Sequence, residues 1–134
     1  MRVARSSDAY DVVRLWELAR ARSTTTDDVE TVRALVAHDP DALLVTEAGG
    51  ELIGTLVGGY DGWRATLYRL VVHPDWRRQG VGLALVAEAE RRLGARGAKR
   101  VSAIVGADDH AAAFWVAAGY DPQPENTRYV KTIK

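Results

Sequence analysis

Six consecutive residues, Arg77-Arg78-Gln79-Gly80-Val81-Gly82, combine two guanidinium groups with two glycines one residue apart. Glycine has no Cβ, so backbone N–H groups at such a site can approach a ligand closely. A helix beginning there aims its unpaired N–H groups and the positive end of its dipole at one point. That point suits a phosphate, and the arginines add charge and bidentate donors. Taken alone, the glycine pair reads first as a turn and a packing contact. Two familiar phosphate motifs are absent. A dinucleotide fingerprint needs a third glycine where Leu85 stands, and a Walker loop needs Gly-Lys-Ser/Thr. A phosphate held here is held in another way.

The flanking residues supply the elements such a loop needs. The apolar, β-branched run ending at Val72 predicts a strand over 63–72, and 83–94 reads as a helix. Gly82, Leu85, Val86, Ala89 and Leu93 form the buried stripe of that helix. Upstream, Arg2–Arg5 is a candidate strand, Ser6-Ser7-Asp8 offers capping side chains, and Val12, Leu15, Trp16 and Ala19 predict an amphipathic helix over 8–21. Asp27 with Glu30 resembles a capping box ahead of a second helix. Leu43–Ala48, Gly49-Gly50 and Leu52–Tyr60 read as a hairpin, which Asp61-Gly62 joins to the third strand of a meander. Val101–Val105 reads as a strand and 110–118 as a helix capped by Asp108-Asp109 and ended by Gly119. Tyr120 and Thr127–Ile133 suggest a final strand pair, interrupted by Pro122 and Pro124. The strand–helix–strand unit over 67–105 predicts two parallel neighbours in an otherwise antiparallel sheet.

The chain has 134 residues, the size of a single domain over 1–134, with 47% hydrophobic and 27% charged residues. Its 18 basic and 18 acidic side chains cancel, which gives no support to a nucleic-acid or membrane-surface role. The absence of cysteine excludes disulfides, thiolate metal sites and a cysteine nucleophile. His38, His73 and His110 fit no ligand spacing, so no metal is expected. No signal-like or membrane-spanning apolar segment is evident, and the expected location is the cytoplasm. The basic residues Arg91, Arg92, Arg96, Lys99 and Arg100 read as a solvated helix face and its exit.

The stretch LYRLVVHPDWRRQGVGLALVAEAERRL resembles the acetyl-coenzyme A motif of the GCN5-related N-acetyltransferase (GNAT) superfamily. In that motif a strand leads through V-x-P, here Val72-His73-Pro74, into R/Q-x-x-G-x-G/A, here Arg77, Gly80 and Gly82. Downstream, DDHAAAFWVAAGY is similar to the family's second signature, with Ala111, Phe114, Gly119 and Tyr120 on matching positions. The resemblance covers nearly the whole chain. It implies an α+β fold with α/β/α layering: a mixed, mostly antiparallel sheet flanked by helices, with the parallel strands splayed at the acetyl-CoA site.

The resemblance also implies N-acetyl transfer from acetyl-CoA to a primary amine, on a small molecule or a peptide, by direct attack in a ternary complex. The pyrophosphate would rest on the N–H groups of Gln79, Gly80, Val81, Gly82 and Leu83, neutralised by Arg77 and Arg78. The pantetheine arm would pair like an added strand with Leu70, Val71 and Val72, and the Val72 N–H would serve as oxyanion donor. Asp108, Ala111 and Trp115 complete the expected coenzyme contacts, and a homodimer is compatible with the family.

The sequence departs from the pattern at two places. The family's thiolate-protonating tyrosine falls on Trp115, whose indole N–H does not ionise at neutral pH. The carboxylate that many members carry in the third strand falls on Tyr68 and Arg69. Tyr120, Tyr129 and Asp61 are substitute acid–base candidates, each with a plain structural reading as a sheet or turn residue, and His110 is a candidate proton shuttle. Trp16, Tyr60 and Trp63 either line an acceptor groove or pack. Losing acid–base help costs about 10² to 10⁴ in rate, which proximity and orientation, worth about 7–11 kcal/mol, can outweigh. The departures keep a second class open: a non-catalytic acyl-CoA-binding sensor or partner module.

Overall fold

A computed structural model describes residues 1–19, 21, 25–105 and 109–133, apart from the side chains of Asp109 and His110. These residues form two compact units, Met1–Ile104 and Val105–Lys134. The first runs β1 (Arg2–Val3), α1 (Ala9–Leu18), α2 (Val29–His38), β2 (Leu43–Ala48), β3 (Glu51–Tyr60), β4 (Ala65–Val72), α3 (Val81–Ala95) and β5 (Val101–Ala103). Short 3-10 turns at Ser6–Asp8 and Pro74–Trp76 precede α1 and α3. The second unit holds α4 (Asp109–Ala117).

The five strands lie in the order β1-β2-β3-β4-β5. All neighbours are antiparallel except β4 and β5, which pair in parallel. Gly49 and Gly50 take φ of +59° and +81° in the β2–β3 turn, a conformation that glycine adopts without a Cβ penalty.

Alternation along the strands separates two layers of packing. Leu43, Val45, Val57 and Val71 join Val12, Leu15, Trp16 and Val32 in one core under α1 and α2. On the opposite face, Gly54 and Gly58 lie against Val81, Leu85 and Leu93 of α3. All five residues of the expected α3 stripe are buried. Leu43, Leu44, Leu56, Leu67 and Leu85 are almost wholly removed from solvent, each worth roughly 1.5–3 kcal/mol.

Three expectations need correction. The cap of α2 is Asp28, whose carboxylate accepts the Thr31 N–H at 2.7 Å. Asp27 stands one residue too early to cap and instead pairs with Arg69. Asp8, expected as a cap of α1, makes no side-chain cap bond. Among the described residues no strand follows Ala103, so the expected final pair does not form. Pro122 and Pro124 remove two ladder donors, and Tyr129, Val130 and Ile133 are exposed.

The Asp8 carboxylate accepts from Arg2 at 2.7 and 3.0 Å and from the Arg5 N–H at 2.7 Å. It thereby ties β1 to the start of α1. The Arg2 guanidinium, helped by the Arg5 amide, holds this carboxyl below its usual 3.8. A depressed folded-state value means that the stabilisation is complete above the unfolded value and is lost as pH falls through the folded one. Asp8→Asn should cost about 1 kcal/mol at neutral pH. The gap in melting temperature between variant and parent should close as pH falls below 3.8. Thermal melts followed by circular dichroism between neutral and acid pH check this.

Candidate functional site

β5 pairs with β4 only along Ala65–Leu67. Among the described residues, the bond from the Ile104 N–H to the Leu67 carbonyl, at 3.1 Å, is the last between them. β4 continues to Val72 without β5 beside it. The parallel strands therefore part at Tyr68.

Beyond that point β4 carries a bulge. Thr55 faces Val71 and Val57 faces Tyr68, so Leu56 alone opposes Arg69 and Leu70. Arg69 takes φ of +51°, unusual for a residue with a Cβ. The bulge shifts the alternation of the backbone. Leu67 aims its carbonyl at β5, whereas the His73 N–H bonds the Ile53 carbonyl of β3 at 2.7 Å. Neighbouring residues of a strand point their amides to opposite sides. Counting back from His73, the Val72 and Leu70 amides face away from β3, on the side where β5 has departed.

The chain then turns through Pro74–Trp76 into the glycine-rich loop. His73 opens this turn: its Nδ1 accepts the Asp75 N–H at 3.1 Å. Arg77, Arg78, Gln79 and Gly80 are exposed, and the Gln79 side chain reaches back to the Asp75 carbonyl at 3.2 Å. Arg78 and Gly80 take φ of +63° and +81°. Gly80 is the N-cap residue of α3, with no side-chain cap bond and no acidic residue in the first turn. The first bond closed across the turn is Ala84 N–H to Gly80 carbonyl at 3.0 Å. The earlier N–H groups, on Val81, Gly82 and Leu83, thus meet no capping side chain, unlike those of α2 at Asp28. A Cβ at Gly80 would meet nothing within 4 Å, so the space above this helix start is open. Such a start fits a phosphate or diphosphate anion.

The other candidate residues are placed as follows. Tyr68 is exposed on β4, and Arg69 pairs with Asp27. Asp61 accepts from the Trp63 and Arg64 N–H groups at 2.8 and 2.7 Å, which holds its carboxyl below the usual range and makes it a turn former. Trp63 is exposed under the Arg64 guanidinium, whereas Trp16 is buried. In the second unit Trp115 is buried, with ring edges of Phe114 and Tyr120 at centroid distances of 5.3 and 4.9 Å. Ala111 and Tyr120 are half-buried there, and Tyr129 is exposed. Asp108 and the His110 side chain lie outside the described residues.

Two features escape a reading of the sequence. Gly54, inside β3, allows Val81 and Leu85 to pack close to the strand; an isolated glycine in a strand pattern was the available signal. Thr55 is fully buried and joins Trp16 to Arg69; nothing local to it announces that role.

The profile of the acetyltransferase (GNAT) family matches residues 10–120. The chain is 40% identical over 114 residues to Acetyltransferase plu1384 of Photorhabdus laumondii subsp. laumondii, covering 85% of this chain and 80% of that one. Its fold is similar to that of an aminoglycoside acetyltransferase from an uncultured soil metagenomic sample, solved in complex with sisomicin. The TM-score is 0.77 at 19% identity, over 98% of this chain and 93% of that one. It is also similar to an aminoglycoside N-acetyltransferase solved in complex with CoA, with a TM-score of 0.71 at 17% identity, over 99% and 92% of the two chains. Among the described residues no helix is long and apolar enough to cross a membrane.

Proposed function

Because the chain belongs to the acetyltransferase (GNAT) family, we propose that it moves an acetyl group from acetyl-CoA to a primary amine, by direct attack within a ternary complex. The observation that carries this reading is the uncapped start of α3 behind Gly80, next to a strand end that β5 leaves open. In this reading the N–H groups from Gln79 to Leu83 hold the diphosphate, and Arg77 and Arg78 neutralise it. The backbone of Leu70–Val72 pairs with the pantetheine amides as an added strand would. The Val72 N–H donates to the thioester oxygen as negative charge develops there.

No carboxylate base stands at the family's usual place in β4, where Tyr68 and the Asp27-paired Arg69 lie. The acceptor's own protonation then matters. A lysine amine is neutral at pH 7 for only about 0.04% of the time, an α-amino group for roughly 10–15%. The chemistry therefore favours an amine of low pKa. The proteins of similar fold solved with sisomicin or CoA are named aminoglycoside acetyltransferases, and small-molecule amines are the first acceptors to try here.

The test is thiol release from acetyl-CoA with a panel of amino acids, polyamines, aminoglycosides and peptides across about pH 6 to 9. Turnover is expected, with a rate that rises with pH as the acceptor deprotonates. Tight CoA binding with no turnover on the whole panel would favour the sensor module, a reading that the residues at Trp115, Tyr68 and Arg69 keep in view. A second expectation concerns Trp115, which stands where the family carries its tyrosine. Trp115→Tyr should raise kcat by supplying an ionisable proton donor for the departing thiolate. An unchanged rate with affinity intact would mean that this proton comes from another source.

A further inference from the structure

Thr55 is fully buried in the middle of β3, and both functions of its hydroxyl are used. Its oxygen accepts the Trp16 indole N–H at 2.9 Å, and its proton goes to the Arg69 carbonyl at 3.1 Å. The Arg69 guanidinium grips Asp27 through two nitrogens, the Nε at 3.1 Å. It also lies 5.3 Å from the centre of the Trp16 ring. Four elements thus converge on one residue: α1 through Trp16, the approach to α2 through Asp27, β3 through Thr55, and β4 itself. That residue is the one with φ of +51°, at the bulge that turns the Leu70 and Val72 amides outward. A strained conformation persists only where its surroundings over-determine it, and a buried polar network with every member satisfied specifies one geometry.

We infer that Thr55, Trp16 and Asp27 are positioning residues that hold Arg69 in the bulge and so aim the Val72 N–H at the thioester oxygen. The inference rests on the acetyl-transfer reading above. Without the bulge, the alternation that sends the Leu67 carbonyl toward β5 would continue, and the Arg69 and Val71 amides would face the open edge instead. Among the hydrogen bonds described above, none joins this network to the start of α3.

The test separates the hydroxyl from the volume it fills. Thr55→Val keeps the shape and loses the hydroxyl; Thr55→Ser keeps the hydroxyl and loses a methyl group. In the parent, acetyl-CoA should shift the Leu70 and Val72 amide resonances of a proton–nitrogen correlation spectrum further than CoA does. Thr55→Val should abolish that difference and, with any acceptor that turns over, lower kcat about tenfold or more. Its calorimetric affinity for CoA should fall by a smaller factor than kcat, because the pantetheine arm loses its pairing with Leu70–Val72 while the diphosphate keeps the start of α3. Thr55→Ser should retain the difference even where its melting temperature is the lower of the two. Should Thr55→Val fail to fold, Asp27→Asn, which weakens the grip from the surface side, should reduce the same difference. A folded Thr55→Val that keeps the acetyl-dependent shift, or a rate that follows melting temperature rather than the hydroxyl, overturns the inference alone. A parent that gives no heat with CoA overturns the acetyl-transfer reading and this inference with it.

Discussion

Gly82→Val lowers affinity for CoA about a hundredfold in the arrangement described here. Gly82 is the second residue of α3, and its backbone is buried in the first turn. The N–H groups on either side of it are among those that α3 leaves without a capping side chain. Because Gly82 lies on the buried stripe of α3, a branched side chain there must displace the first turn, and those N–H groups with it. If two charge-assisted hydrogen bonds of about 1.5 kcal/mol each are lost, the sum is about 3 kcal/mol, and each 1.4 kcal/mol is a factor of about ten. Stability should fall as well, because overpacking the buried side costs about 1–3 kcal/mol, more than valine gains over glycine in helix propensity. Calorimetry with CoA, beside a thermal melt of the same sample, separates the two effects. Affinity equal to the parent's, in a folded variant, removes the diphosphate from the start of α3.

That prediction rests on features that local sequence exposes well. The stripe of α3 repeats every three or four residues, so its buried face can be read directly. The turn glycines carry their own conformational signature, and Gly49, Gly50, Gly62, Gly80 and Gly119 all take positive φ. The helix expected over 8–21 exceeds the observed Ala9–Leu18 at both ends, because the 3-10 turn at Ser6–Asp8 has helix-like spacing and Ala19 ends α1 without a breaker. Asp27 and Asp28 show where local reading stops. Both fit a cap by residue type, and the choice between them is made by Arg69, 42 residues away. The same holds for Thr55, which reads as one more strand residue until Trp16 and Arg69 are brought to its two sides. The expected last strands fail for the converse reason. Thr127–Ile133 is rich in strand-forming residues, but a strand exists only by pairing, and Pro122 and Pro124 remove donors just ahead of it.

Gly54 links the sheet to the coenzyme loop, and Gly54→Ala should disturb both. A Cβ at this position would stand 2.9 Å from Val81 Cγ1, 3.0 Å from Leu85 Cδ1 and 3.6 Å from the Val71 carbonyl. Neither side chain yields easily. Valine in a helix has one strongly preferred rotamer, and Leu85 is fully buried. The start of α3 must therefore move off the sheet. Alanine is intrinsically better than glycine in a strand by about 0.5–1 kcal/mol, and overpacking a tight core costs about 1–3 kcal/mol. The second effect is the larger, so a net loss near 1 kcal/mol is expected, a fall of roughly 3–5 °C in melting temperature for a chain of this size. Because Val81 carries one of the N–H groups offered to the diphosphate, CoA affinity should drop several-fold as well. Val81→Ala in the same chain makes room for the new methyl group, so the double variant should recover most of both losses. Residues in contact couple in this way, whereas independent ones add. Additive losses in the double variant, or a Gly54→Ala protein as stable and as tight-binding as its parent, would show that the close approach of α3 to β3 does not set the position of the loop.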